Sequence, residues 1–212
     1  MTKLQVAIDL LTTEAALELA AKVAPYVDII ELGTPLIKAE GLSVVTAMKA
    51  AFPDKLVFAD MKTADTGALE AEMAFKAGAD LVTVMGAVDD ATIKGAVEAA
   101  NKYGKKVVVD TIGVKDRVQR AKEVTAFGVA FVELHAGLDE QALPGYSVQT
   151  LISEGREAKV PFSVAGGVNI DTIKDVVAAG ADVAVAGGAI YGAKDPAAAA
   201  KALKDAIISA TV

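Results

Sequence analysis

Eight short apolar runs, each followed by a helical stretch, divide this chain almost evenly. The runs are Leu4–Leu10, Asp28–Leu32, Lys55–Met61, Asp80–Met85, Lys106–Ile112, Ala130–His135, Pro161–Ala165 and Asp182–Ala186. They are rich in β-branched residues. The segments between them, such as Glu14–Val23 and Leu69–Ala77, instead carry apolar residues at three- and four-residue spacing. Spread over eight units, 212 residues give 212/8, or about 26, per unit, which leaves no room for a second domain. Strands alternating with helices pair in parallel through right-handed crossovers. Most of these strands are apolar nearly throughout, as burial on both faces requires. Two architectures fit, a closed barrel and an open doubly wound sheet. After the first strand stands Ala-Ile-Asp-Leu-Leu (7–11), where a dinucleotide-binding sheet would carry Gly-x-Gly-x-x-Gly. The expectation is therefore an α/β fold, a single (β/α)8 TIM barrel domain over residues 1–212.

The punctuation agrees. Lys-Ala-Gly-Ala-Asp (76–80), Ala-Ala-Gly-Ala-Asp (178–182) and the looser Ala-Phe-Gly-Val-Ala (126–130) each place Gly where a helix C-terminus takes a left-handed residue. The Ala-rich tail from Pro196 reads as a closing helix capped near Asp195. Met48, Met73 and the scattered Phe residues read as packing, and Lys115–Lys122, with Arg117 and Arg120, as a solvated helix face.

Chemistry collects at the strand ends. Asp9 ends Val-Ala-Ile-Asp, Glu31 ends Ile-Ile-Glu, Asp60 ends Val-Phe-Ala-Asp, Asp110 ends Val-Val-Val-Asp and His135 ends Val-Glu-Leu-His. An Asp after a strand also suits the cap of the next helix. Four carboxylates and the chain's one His at one topological position point instead to the rim where barrel enzymes build their sites. Lys62, two residues after Asp60, alternates to the same side and supplies a positive charge. Asp65 follows, where it also suits capping a helix that begins near Thr66. The remaining negative charge calls for a cation. The chain has no Cys and a single His, so a thiolate zinc site, an iron–sulfur cluster and a multi-histidine metal site are excluded. A hard, oxygen-ligated ion remains, Mg²⁺, with Glu31 and Asp60 as ligands. Metal and ammonium together suit a developing enolate oxyanion.

The last two strands end in glycine pairs, Val-Ala-Gly-Gly-Val (164–168) and Val-Ala-Gly-Gly-Ala (185–189). Barrel loops after strands seven and eight recurrently bind phosphate. Backbone amides at Gly166, Gly167, Gly187 and Gly188 therefore form a candidate phosphate site. Neutral amides also suit an anion in a chain of net charge −7, a balance that repels nucleic acid and anionic membranes. With no membrane-spanning run and no targeting segment in evidence, a cytoplasmic protein is expected.

These residues together resemble the orotidine 5′-monophosphate decarboxylase suprafamily. Asp-Met-Lys-Thr-Ala-Asp (60–65) has the form of its Asp-x-Lys-x-x-Asp signature. Val-Ala-Ile-Asp-Leu-Leu (6–11), Ile-Ile-Glu-Leu-Gly-Thr-Pro-Leu-Ile (29–37) and Glu-Leu-His-Ala-Gly-Leu-Asp-Glu-Gln (133–141) are similar to formaldehyde-fixing aldolases of its phosphosugar branch. The similarity runs from about Lys3 to Ile208, and Glu31 matches the Mg²⁺-dependent branch rather than the metal-free nucleotide decarboxylases. Two departures stand out. Keto-gulonate-phosphate decarboxylases carry Arg where this chain has Ala136, and relatives carry Arg in the last strand-end loop where it has Gly188.

The resemblance implies a reversible condensation of formaldehyde with D-ribulose 5-phosphate to D-arabino-3-hexulose 6-phosphate, the fixation step of the ribulose monophosphate route. It implies Mg²⁺, with Mn²⁺ as an alternative, and a 1,2-enediolate stabilised by the metal and Lys62. Catalytic roles fall to Lys62, Asp60, His135 for proton transfer, and Asp65. Asp9 would orient substrate hydroxyls. Asp65 resembles a residue donated across a dimer interface, so a homodimer with active sites near the interface is expected. A Schiff base on Lys62 is the rival mechanism, disfavoured because flanking carboxylates keep the ammonium charged. A phosphosugar decarboxylase and a binding barrel without turnover are the other readings. The second has no use for Glu31, Asp60, Lys62 and Asp65.

Overall fold

The computed structural model describes residues 1–211. Its strands are β1 (Lys3–Ile8), β2 (Ile29–Leu32), β3 (Leu56–Thr63), β4 (Leu81–Met85), β5 (Lys106–Asp110), β6 (Phe131–His135), β7 (Phe162–Ala165) and β8 (Val183–Ala186). They pair in parallel in sequence order. β1 closes on β8 through Lys3↔Val183 and Gln5↔Val185, so the sheet is a closed barrel. The helices are α1 (Thr13–Val23), α2 (Thr34–Glu40), α3 (Ser43–Ala51), α4 (Gly67–Ala77), α5 (Asp90–Tyr103), α6 (Arg117–Thr125), α7 (Leu138–Gln141), α8 (Val148–Ala158), α9 (Ile173–Ala178), α10 (Gly188–Tyr191) and α11 (Pro196–Thr211). The architecture is the (β/α)8 TIM barrel that the alternating runs predict. No helix among the described residues is long and apolar enough to cross a membrane.

Period-two alternation sorts every strand between two cores. Ile30, Val57, Val82, Val107, Val132, Val164 and Ala184 face the helices, in one large buried cluster. Their neighbours Ile29, Phe58, Leu81, Val108, Phe131, Ala165 and Val183 fill the barrel interior as a separate cluster. Two residues beyond this inner layer, on the same parity, five of the strands turn polar. There stand Glu31, Asp60, Thr83, Asp110 and Glu133, all buried. The barrel is thus plugged with hydrocarbon below and with polar groups above.

Helix starts are capped by residues other than the strand-end carboxylates. Thr12 accepts from Ala15 N at 3.3 Å, Asp116 from Gln119 N at 2.9 Å, Ser147 from Gln149 N at 3.3 Å and Asp195 from Ala198 N at 3.0 Å. Asp9, Asp60 and Asp110 are therefore free for other work. The repeated helix-end glycines take left-handed φ, +111° at Gly78, +91° at Gly128 and +82° at Gly180.

Two surface expectations are corrected. Arg117 and Arg120 are not on a solvated face, their side chains being 11% and 16% exposed. Arg117 Nη2 grips both Glu140 oxygens at 2.7 Å. Arg120 bonds Asp90 at 2.7 Å and the Gly86 and Val88 carbonyls at 2.8 and 2.9 Å. A guanidinium presents several donors in a planar fork, so it ties loops together where charge count alone suggests solvent. Met48 is fully buried, but Met73 is 48% exposed.

Candidate active site

Asp60 and Lys62 reach the rim through a break in β3. The β3–β4 register shifts between Ala59 and Thr63, and Lys62 has φ +44°, in the left-handed region. A non-glycine residue held there carries backbone strain of order 1 kcal/mol. The strain is supported by β4, whose Thr83 hydroxyl accepts from Lys62 N at 2.9 Å and donates to Asp60 Oδ1 at 2.7 Å. Thr34, at the start of α2, donates to Asp60 Oδ2 at 2.8 Å. Simple alternation thus predicts the right side for Lys62, but a bulge places it.

Lys62 Nζ sits between two carboxylates, 2.9 Å from Asp60 Oδ2 and 2.7 Å from Asp110 Oδ2. Burial alone would discharge the amine. The charges of Asp60, Asp110 and Glu133 outweigh it and raise the pKa above the ordinary ammonium value. Asp110 is fully buried. Its Oδ1 accepts from Ile112 N at 2.7 Å, and its Oδ2 also meets His135 Nδ1 at 2.8 Å. Burial works against its ionisation, but the His135 and Lys62 bonds prevail and hold the carboxyl well below the usual range. Burial would likewise keep His135 neutral, yet the bond to Asp110 raises its pKa and favours the imidazolium.

Two buried carboxyls remain undercompensated. Glu133, 3.7 Å from His135 Nδ1, is pushed to about 7 by burial and by Asp110. Glu31 accepts from Gln5 Nε2 at 2.7 Å, and burial, Asp60 and Glu133 lift it well above the carboxylate range. Asp9, just past β1, lines the same mouth, raised by burial and by Asp60. Gln5 Oε1, Glu133 Oε2 and Ser163 Oγ are buried without a hydrogen-bond partner.

The cavity above this cluster has a volume of about 1110 Å³. Asp9, Glu31, Asp60, Lys62 and His135 all line it, as do Gly166, Gly167, Gly187 and Gly188. Gly166 and Gly167 have φ +109° and +81°, which only glycine adopts without strain. The amides of Gly166, Gly167 and Gly187 donate to no backbone carbonyl among the described residues, and Gly188 opens α10. Asp65 stands apart. It is exposed, accepts from Thr66 N at 2.7 Å and does not line its own chain's cavity. Thr66, itself left-handed, precedes α4.

Asp110, Glu133 and His135 bring ligand atoms within 4.8 Å of one another, a geometry compatible with a metal. Asp110 there is already neutralised by Lys62 and His135, however. The least compensated carboxyl is Glu31, whose hydrogen-bond donor is the neutral Gln5 amide. Two members of the cluster, Thr83 and Glu133, go beyond the sequence expectation for the site, and Asp110, expected at the rim, gains a role as the partner of Lys62 and His135. Glu133 could have been found, since alternation from His135 sends it inward. So could Thr83, the one polar residue of β4.

A closed barrel whose rim joins a charged lysine, a histidine bonded to a carboxylate and further buried carboxylates is the architecture of a barrel enzyme. The comparisons narrow this. Residues 2–203 match the family described as Orotidine 5'-phosphate decarboxylase / HUMPS, and the chain belongs to that family. It is 70% identical over 205 residues to the 3-hexulose-6-phosphate synthase of Mycobacterium gastri, covering 97% of this chain and 99% of that one. The name denotes an aldehyde-lyase. A crystal structure of 3-hexulose-6-phosphate synthase, 70% identical, superposes with a TM-score of 0.96 over 97% of this chain and 99% of the other. A ligand complex of KGPDC from Streptococcus mutans is 28% identical, with a TM-score of 0.92 and 98% of each chain covered.

Proposed function

We propose that this chain is a Mg²⁺-dependent aldolase that joins formaldehyde reversibly to D-ribulose 5-phosphate, giving D-arabino-3-hexulose 6-phosphate. The observation that carries the reading is Lys62, held between Asp60 and Asp110 and coupled through Asp110 to His135, in a cavity whose other wall is two glycine pairs. The 70% identity to a synthase of that name supports the substrate assignment.

Glu31 and Asp60 fit a hard divalent cation, because burial, Asp60 and Glu133 together oppose ionisation of Glu31 and a cation held there would offset them. Bound there, Mg²⁺ would act as a Lewis acid toward the sugar's oxygens. The other steps belong to side chains. When the C1 proton leaves, negative charge develops on the former ketone oxygen, and the Lys62 ammonium offers a fixed donor to it. Such a donor is typically worth roughly 3–4 kcal/mol of barrier. C1 of the enediolate then attacks the formaldehyde carbon. The carbonyl π pair moves onto oxygen, and the His135 imidazolium protonates the alkoxide. Asp110, bound to Nδ1, leaves Nε2 for this task. Asp9 orients substrate hydroxyls, and the amides of Gly166, Gly167, Gly187 and Gly188 take the phosphate. A Schiff base needs a neutral amine, which the raised Lys62 pKa opposes.

The C1 base is left to Asp60, Asp65 and His135, with Asp65 acting from a second copy in a homodimer. Asp65 is exposed outside its own cavity, and Leu69 and Met73, one and two turns along α4, are exposed apolar residues.

The test is formaldehyde consumption with ribulose 5-phosphate, before chelation, after it, and after Mg²⁺ is restored. Consumption that requires both sugar phosphate and metal is the expected result. Consumption surviving thorough chelation would return the mechanism to a lysine imine. Untouched formaldehyde, with carbon dioxide released from a keto-sugar phosphate, would make the chain a decarboxylase.

A further inference from the structure

We propose that the Tyr191 hydroxyl is a phosphate-binding group, making the anion site one side-chain donor plus backbone amides. The inference rests on the phosphosugar reading above. Lys62 is the sole lysine or arginine lining the cavity among the described residues, and Asp60 and Asp110 already hold it. A phosphate dianion in this mouth therefore depends on neutral donors, and each one counts.

A tyrosine flanks each glycine pair. Tyr146 lies by the first, with Oη 3.2 Å from the point where a Gly166 Cβ would stand. Its proton is engaged, since Oη donates to Gly166 O at 2.7 Å. Tyr191 lies by the second. Its Cε1 is 3.4 Å from the Cβ position of Gly187, and its Oη is 3.9 Å from that of Gly188. The hydroxyl thus stands within van der Waals reach of where a side chain at 188 would begin, beside the unpaired amides. Tyr191 lines the cavity, packs its ring partly against the outer core, and gives its hydroxyl no hydrogen-bond partner among the described residues. Burial, and then the charge of Asp9, push this phenol's pKa up, so it keeps the proton an anion requires.

Tyr191→Phe keeps the ring and removes only the donor. A hydrogen bond to a charged group typically contributes enough for at least about a tenfold change in affinity. In the Mg²⁺-loaded protein, inorganic phosphate should inhibit the wild type competitively against ribulose 5-phosphate and inhibit Tyr191→Phe about tenfold less well. KM for ribulose 5-phosphate should rise by a similar factor, kcat should change less than about threefold, and thermal melting should match the wild type. Unchanged phosphate inhibition with unchanged KM overturns the proposal, and so does a fall in kcat alone, which would place the hydroxyl at the reacting carbons. A wild type that phosphate does not inhibit at all would instead overturn the phosphosugar reading on which the proposal stands.

Discussion

Asp110→Asn tests the electrostatics of the rim most directly, because the substitution nearly preserves volume while removing one charge. The amide oxygen can keep the bond from Ile112 N, but the amide nitrogen then faces two donors, Lys62 Nζ and His135 Nδ1. A hydrogen bond to a charged group contributes about 1.5–3 kcal/mol, and 1.36 kcal/mol is tenfold in a protonation equilibrium. The variant should therefore bind the His135 proton at least about tenfold more weakly than the wild type. The chain has a single histidine, so its imidazole C–H proton resonances need no assignment and can be followed through pH by NMR. In the wild type the pKa is raised, so the stabilisation is complete below the unfolded imidazole value. It is lost as pH rises through the higher folded one. In Asp110→Asn only Glu133 still opposes burial and the Lys62 charge, so this dependence weakens. With the proton donor discharged near neutrality, kcat should fall by roughly 10²–10⁴. A wild-type resonance that titrates at or below the unfolded value would refute the reasoning, as would a variant that titrates like the wild type.

Lys62→Ala and Asp60→Ala should each reduce turnover by roughly a thousandfold or more while leaving cooperative melting intact. Wild-type-like kcat in either variant removes that residue from the mechanism. At the opposite end of the barrel, Asp80 binds Lys49 at 2.8 Å, Lys105 at 2.6 Å and Val57 N at 2.9 Å. Against the effect of burial, the bonds from Lys105, Lys49 and Val57 N lower its pKa. Its stabilisation is then present above the unfolded carboxylate value and lost as pH falls through the folded one. Asp80→Asn should cost about 1–3 kcal/mol at neutral pH, a gap in denaturant midpoints that closes in acid. A gap that is constant with pH would show that charge is not what Asp80 contributes.

The barrel was legible because its determinants are local and repetitive. Continuous β-branched runs such as Val107–Val109, helix-end glycines such as Gly78 and eight repeats of near-equal length all point one way. The rim was legible at Asp9, Glu31, Asp60, Asp110 and His135, since a polar residue ending an apolar run is visible in one dimension. What the runs conceal is how rim residues meet. The left-handed backbone of Lys62 depends on Thr83, 21 residues away, and the bond from Asp110 to His135 spans 25. Nor did charge spacing reveal that Arg117 and Arg120 stitch loops, because their partners Glu140 and Asp90 belong to other units.

The polar plug in the upper barrel sets stability and turnover against each other. Most of a barrel's interior is filled by branched apolar side chains, and exchanging buried charge for well-packed hydrocarbon is often neutral or stabilising. In this chain the upper layer holds Glu31, Asp110 and Glu133, with one Glu133 oxygen unpartnered. Selection for heat resistance alone would drift toward valine and leucine at these positions and arrive at a sturdier barrel with an inert mouth. Thermal hardening of the scaffold therefore belongs at the outer seam between strands and helices, where the core is already apolar and no catalytic group stands.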